Sequence, residues 1–167
     1  LNDNNLRFPS ERQFISEDII FHLDALPKAK TLGYIKDCVF YHIIDNPNSL
    51  THKYNSERFK KCCILYLEER RKISQLPNHD QMILNAQRMF LGNTRVCLKQ
   101  IIAKSETEGK KFAFSEIKKI VEERILKEVL NEYPYWKNPI KQAIISFFLK
   151  KGKVCIVYFL AKVSTKH

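Results

Sequence analysis

Apolar residues recur at steps of three and four through the first half of the chain, which is the spacing of one face of an α-helix. This spacing predicts helices from Ser10 to Pro27, over residues 31–45, and from Asn55 or Ser56 to Leu76. The third segment has the clearest pattern, at steps of 3, 1, 3 and 1, formed by Phe59, Cys62, Cys63, Tyr66 and Leu67. An amphipathic helix that buries one stripe is expected there.

Three more helices are predicted in the second half. Asp80 can cap the fourth, and we expect close packing or a bend at Gly92-Asn93, because glycine inside a helix costs about 1 kcal/mol relative to alanine. Residues 104–111 lack apolar side chains and are predicted to form an exposed loop. The fifth helix is expected to begin at Ser115, and Asn138-Pro139 is a typical helix start. Gly152 stands where a left-handed C-terminal cap would follow the sixth.

Residues 154–160 favour a buried strand by their β-branched and aromatic content, although a short core helix remains open. The fold class predicted is therefore mainly all-α. We expect a bundle of about six helices, with a short C-terminal strand or hairpin left open. One domain over residues 1–167 is expected, with a loop near 104–111 and an alternative boundary between 1–103 and 112–167.

The net charge of +11 is concentrated in the second half of the chain. Residues 1–83 carry 12 Lys or Arg against 11 Asp or Glu, whereas residues 84–167 carry 17 against 7. Such an asymmetric positive field attracts polyanions, and nucleic acid, an acidic membrane surface or an acidic protein would each fit it.

The candidate nucleic-acid-binding residues are basic side chains that neutralise phosphates. They are Arg70, Arg71 and Lys72; Arg88, Arg95 and Lys99; Lys110, Lys111, Lys118 and Lys119; and Lys150, Lys151 and Lys153. The aromatic residues Tyr133, Tyr135 and Trp136 are expected either to stack on bases or to fill the core at a helix junction.

No recognisable catalytic motif, metal-ligand spacing or phosphate-binding loop is present in the sequence, so we expect no enzyme, metal or cofactor. The acidic pairs Glu17-Asp18, Glu68-Glu69 and Glu122-Glu123 are interpreted as solvated helix faces, since adjacent helical residues point about 100° apart. A nuclease using Glu116 and Lys118 is disfavoured, because that motif normally lies on a strand.

Five irregularly spaced cysteines and no apparent targeting peptide favour buried, reduced thiols in an intracellular compartment, nuclear or cytoplasmic. The most apolar stretch, residues 140–163, is interrupted by Lys150, Lys151 and Lys153, so no transmembrane segment is expected. The chain begins at Leu1 and not at a methionine, which leaves a flanking domain open.

Residues 56–99 resemble the helical domain of a subunit of GINS, the complex that activates the replicative DNA helicase in eukaryotes. The resemblance lies in Tyr66-Leu67 followed by Arg70, Arg71 and Lys72-Ile73, and in the next segment, Phe90-Leu91-Gly92-Asn93-Thr94. The chain departs from that family in its basic charge and in the helices predicted over residues 112–149, where the family has a small β-domain. The resemblance implies assembly into a DNA replication complex and supplies no catalytic residue.

The leading hypothesis is thus a non-enzymatic helical subunit of a nucleic-acid-associated complex, with a basic C-terminal half that binds a polyanion. The first alternative is a helical protein–protein interaction module or regulator, which predicts an exposed apolar groove. The second is an enzyme with a dispersed site, which predicts a deep pocket with convergent titratable groups. Protein partners are expected, and the oligomeric state is left open.

Overall fold

The computed structural model describes residues 6–10, 14–33, 36 and 53–164. The helices are α1 (Glu17–Ala25), α2 (Arg58–Ile73), α3 (His79–Glu108), α4 (Lys110–Glu122), α5 (Arg124–Glu132), α6 (Ile140–Lys150) and α7 (Val154–Ser164). Short 3-10 turns lie at Leu26–Lys28 and Tyr135–Lys137. The described ranges contain no strand, so the all-α prediction is confirmed. Most of the second predicted helix, over residues 31–45, lies outside the described residues.

Helix α2 forms for the reasons that its pattern predicts. The Asn55 Oδ1 accepts a hydrogen bond from the Glu57 N–H at 2.9 Å just before the first turn. The stripe of Cys62, Cys63 and Tyr66 is buried in the main core, whereas Leu67 is 45% exposed, contrary to the pattern. Leu65 belongs to a second apolar cluster with Phe14 and with Ile20 of α1. Helix α2 therefore separates two apolar clusters.

Helices α3 and α4 correct the predicted loop over residues 104–111. Helix α3 continues for 30 residues through Gly92-Asn93 and ends at Glu108, and α4 begins at Lys110 and not at Ser115. The polar residues extend an exposed face of α3, where the Lys104 Nζ lies 3.0 Å from the Glu108 Oε1. Gly109, at φ +85°, forms the whole connection. A polar stretch can thus remain helical, because side chains facing water need not be apolar.

Of the two outcomes predicted at Gly92-Asn93, close packing or a bend, close packing at Gly92 is wrong. A Cβ atom there would meet only the Arg95 Nη2, at 3.7 Å. Farther along the chain, the predicted fifth helix is divided into α4 and α5 at Glu123, which adopts an extended backbone and accepts a hydrogen bond from the Ile125 N–H at 3.4 Å. This division and the C-terminal helix each add one helix to the six predicted. The predicted helix over residues 31–45 is not among the seven helices of the described residues.

The C-terminal segment forms a helical hairpin. Helix α6 begins directly after Asn138-Pro139, as predicted, although the Asn138 Oδ1 accepts a hydrogen bond from the Tyr133 hydroxyl at 2.9 Å and does not cap the helix. Gly152 has φ +63°, which confirms the left-handed turn. Residues 154–160 are helical and not a strand, because α7 packs against α3, α4 and α6, and the described residues offer no strand to pair with.

The main core contains residues from α2 to α7. Helix α3 lies at its centre and packs against α2, α4 and α7. Cys62, Cys63 and Cys97 are buried free thiols, as expected, but Cys155 is exposed on α7, and Cys38 lies outside the described residues. None of the described helices combines the length and apolarity needed to cross a bilayer.

Candidate interaction surface

Five of the thirteen candidate basic residues are engaged by carboxylates. Arg70 and Arg71 lie 3.5 Å and 2.6 Å from Glu132 and Glu68 respectively, and Lys72 contacts both Asp24 and Glu68. On α4, the other two form ion pairs one turn away, Lys118 with Glu122 at 3.7 Å and Lys119 with Glu116 at 2.5 Å. Their charges are partly neutralised within the chain.

The other eight candidates form no ion pair within the described part of the chain, and they lie in three places. Arg88, Arg95 and Lys99 lie on α3, Lys110 and Lys111 in the first turn of α4, and Lys150, Lys151 and Lys153 at the turn between α6 and α7. Of these eight, Arg95 and Lys99 line one groove, which they share with Lys141, a residue that the sequence patterns did not single out.

A cavity of about 550 Å³ between α2, α3 and α4 is lined by polar groups that could resemble an active site. The Tyr54 hydroxyl and the Lys119 Nζ both donate to the Glu116 carboxylate, at 2.8 Å and 2.5 Å. Burial opposes ionisation of Glu116, but these two donors outweigh it and lower its pKa. Burial, with Glu123 nearby, raises the pKa of the Cys63 thiol in the same cavity to about 12. A satisfied carboxylate and a protonated thiol are not an activated acid, base or nucleophile.

Exposed apolar residues are concentrated on α6 and α7. They repeat at helical spacing on the side of each helix opposite its buried residues. We call the hairpin face the set of Ile140, Ile144, Phe147, Ile156, Phe159 and Val163. Ile140 is 78% exposed and Phe159 is 59% exposed. Both helices are therefore apolar on two sides, one in the core and one facing solvent.

Lysines lie along the segment that carries the hairpin face, and the sequence of that segment contains no Asp or Glu. The sequence contains no Asp or Glu after Glu132. The described lysines beyond that point are Lys137, Lys141, Lys150, Lys151, Lys153 and Lys162. Two of them lie over aromatic rings, the Lys150 Nζ at 5.8 Å from the ring centre of Tyr135 and the Lys151 Nζ at 5.9 Å from that of Phe147. The surface is thus apolar, and the segment that forms it is rich in lysine.

A groove of about 530 Å³ opens beside this face, where α3 meets α6 and α7. Ile144 and Val163 belong both to the groove and to the hairpin face, so the two surfaces are continuous. Among the described residues, its charged lining consists of Arg95, Lys99 and Lys141, with no Asp or Glu. An exposed groove with a mostly apolar lining is therefore present, and its three cations give it a positive charge.

Arg95 is unusual among these cations because it is partly buried. Its Nη1 is buried without a hydrogen-bond partner among the described residues. Burial lowers the pKa of Arg95, an effect that the Tyr133 phenol group nearby partly opposes.

These features define a class of protein, a helical bundle with an exposed apolar surface on a lysine-rich segment. The chain matches no family model, no curated protein and no solved structure. The resemblance of residues 56–99 to a GINS subunit therefore stays a prediction.

Proposed function

We propose that this protein is a non-enzymatic helical interaction module that binds an acidic, apolar-faced helix of a partner protein on the hairpin face. The observation that carries the proposal is the pair of solvent-facing apolar stripes on adjacent helices, in a segment that contains lysines and no Asp or Glu. Contiguous exposed apolar surface with a polar rim is typical of interaction sites. A helix laid in a groove uses anchors at this same spacing.

The charge of the surface identifies the kind of partner. A second copy of the chain would bring lysines against lysines, and like charges across an interface oppose association. An acidic helix would instead place carboxylates near Lys141, Lys150 and Lys153 while its apolar side covers residues such as Phe159. Apolar burial would supply most of the affinity, and the charges would supply orientation and rate.

A designed peptide tests the proposal. The probe is a helical 20-residue peptide with leucine at i, i+3, i+4 and i+7 and glutamate on the flanking positions, and the control peptide carries lysine in place of glutamate. Isothermal titration calorimetry is expected to show binding of the acidic peptide alone. Phe159→Ser is expected to weaken that binding by roughly tenfold, because it removes an exposed aromatic anchor. The matched variant Leu32→Ser, at an exposed apolar position outside the hairpin face, leaves it unchanged.

Three results would refute this proposal. They are equal affinity for both peptides, no effect of Phe159→Ser, and binding to anionic phospholipid vesicles without binding to the acidic peptide. The last result would assign the face to a membrane surface.

Nucleic-acid binding within a larger complex, such as one for DNA replication, is a second candidate. It is favoured by the eight candidate cations without ion pairs in the described ranges, among them the cluster at the α6–α7 turn. For this function, changing Lys150, Lys151 and Lys153 together to glutamate would abolish oligonucleotide binding at low salt, and Phe159→Ser would not change it. The affinity would also fall steeply with salt as counterions compete. Absence of oligonucleotide binding at low salt would exclude this candidate.

A further inference from the structure

The groove between α3, α6 and α7 contains an arginine that forms no ion pair with the described residues. The Arg95 Nη1 is buried and has no hydrogen-bond partner within the described ranges, and the groove lining there contains no Asp or Glu. By contrast, Arg70 and Arg71 each have a carboxylate at 3.5 Å or less. A buried polar nitrogen without a hydrogen-bond partner is costly, so a ligand that supplies an anionic acceptor to the Arg95 Nη1 would be favoured in this groove.

The surroundings of Arg95 increase this positive charge. Lys99 lies four residues farther along α3, and like charges at this spacing destabilise a helix. Lys141 adds a third cation from α6. The rest of the lining is dominated by apolar side chains, including Val96, Ile144 and Leu160. A ligand for this groove therefore needs one anionic group and a long apolar body.

We propose that the groove binds a long-chain carboxylate, with its head group held by Arg95, Lys99 and Lys141 and its apolar chain lying between α6 and α7. A guanidinium and a carboxylate form two parallel hydrogen bonds, which favours a carboxylate over a neutral head group. The volume of about 530 Å³ is within the range of small-molecule sites, roughly 300–1,000 Å³. The groove shares Ile144 and Val163 with the hairpin face, whereas Arg95 and Lys99 lie outside that face, so the two proposals are tested separately.

Titration of the chain with dodecanoate below its micelle concentration tests this inference without any peptide present. Calorimetry is expected to show one dodecanoate per chain. Dodecanol and dodecyltrimethylammonium are expected to bind at least about tenfold more weakly, because they lack the anionic head group. Amide NMR shifts should concentrate on α3 near Arg95 and on the facing parts of α6 and α7.

Two variants and a control distinguish binding through the head group from nonspecific hydrophobic binding. Arg95→Gln is expected to weaken binding of dodecanoate at least about tenfold, and Lys141→Gln, at an exposed position that cannot disturb the core, about threefold. Arg88→Gln lies on the same helix but outside the groove, and leaves binding unchanged. Lys141→Gln keeps the test valid if Arg95→Gln fails to fold.

Several outcomes would overturn the inference. They are no saturable binding, many dodecanoate molecules per chain, equal binding of dodecanol, and full binding by both Arg95→Gln and Lys141→Gln. An acidic peptide whose binding requires Arg95, on a chain that takes no dodecanoate, would assign the groove to the partner helix instead.

Discussion

At the scale of single residues, two adjacent glutamates on α2 have opposite environments. Glu69 is only 2% exposed, and burial raises its pKa to about 7. Glu68 faces outward, and the hydrogen bond from Arg71 is the main cause that lowers its pKa. The interpretation of this pair as a solvated face is wrong for Glu69, because a turn of about 100° separates neighbouring side chains and carries the second one into the core.

The buried Glu69 predicts an unusual dependence of stability on pH. Its folded-state pKa, about 7, lies above the ordinary value of 4.5, so the folded protein binds this proton more tightly than the unfolded chain does. Its contribution is fully favourable below about pH 4.5 and is lost as the pH rises through 7. Glu69→Gln is therefore expected to raise the free energy of unfolding at pH 8 by on the order of 3 kcal/mol, with little change at pH 4.5.

Urea denaturation of both proteins at the two pH values measures this effect. Glu106→Gln, at an exposed position near the end of α3, is the matched control and should change little at either pH. An equal gain at both pH values from Glu69→Gln would contradict the titration as the cause.

At the scale of elements, the glycines of α3 and its connection to α4 have different roles. Gly92 lies inside the helix with open space around it, whereas Gly109 adopts φ +85° to turn the chain. Only the second position uses the conformational freedom of glycine.

Alanine substitutions at these two glycines are expected to have opposite effects. Gly92→Ala should stabilise the protein by roughly 0.5–1 kcal/mol, since alanine restricts the unfolded chain and a Cβ meets only a flexible arginine tip. Gly109→Ala should destabilise it by about 1 kcal/mol or more, because a side chain is strained at positive φ. Thermal unfolding of the two variants checks both signs, and a loss of stability for Gly92→Ala would show that α3 needs a bend there.

At the scale of the whole molecule, a net charge of +11 opposes contact between two hairpin faces. We predict that the protein is monomeric at low salt and self-associates as the salt concentration rises. Salt screens the electrostatic repulsion between the lysines of two chains, whereas the apolar attraction between their hairpin faces remains. Sedimentation at 20 mM and 500 mM NaCl measures this. Phe159→Ser should suppress the association at high salt, and association that weakens with salt would contradict the charge argument.

The sequence alone determined the helical class and several helix boundaries. The spacing of Phe59, Cys62 and Tyr66 defined α2, and Asn138-Pro139 and Gly152 marked the two ends of α6, because local backbone preferences decide such signals. It also determined the charge asymmetry of the chain.

Tertiary structure decided the rest. The segment Val154–Ser164 forms a helix because its neighbours are helices, and the polar stretch before Gly109 is helical because it faces water. The periodicity of apolar residues could not predict the candidate surface either. When a helix such as α7 is apolar on most sides, the spacing reveals the helix but not which side is buried. The packing of α7 against α3 and α4 buries Val157 in the core and leaves Phe159 in solvent. Arg95 and Lys141 are far apart in sequence, and only the same packing brought them to one groove.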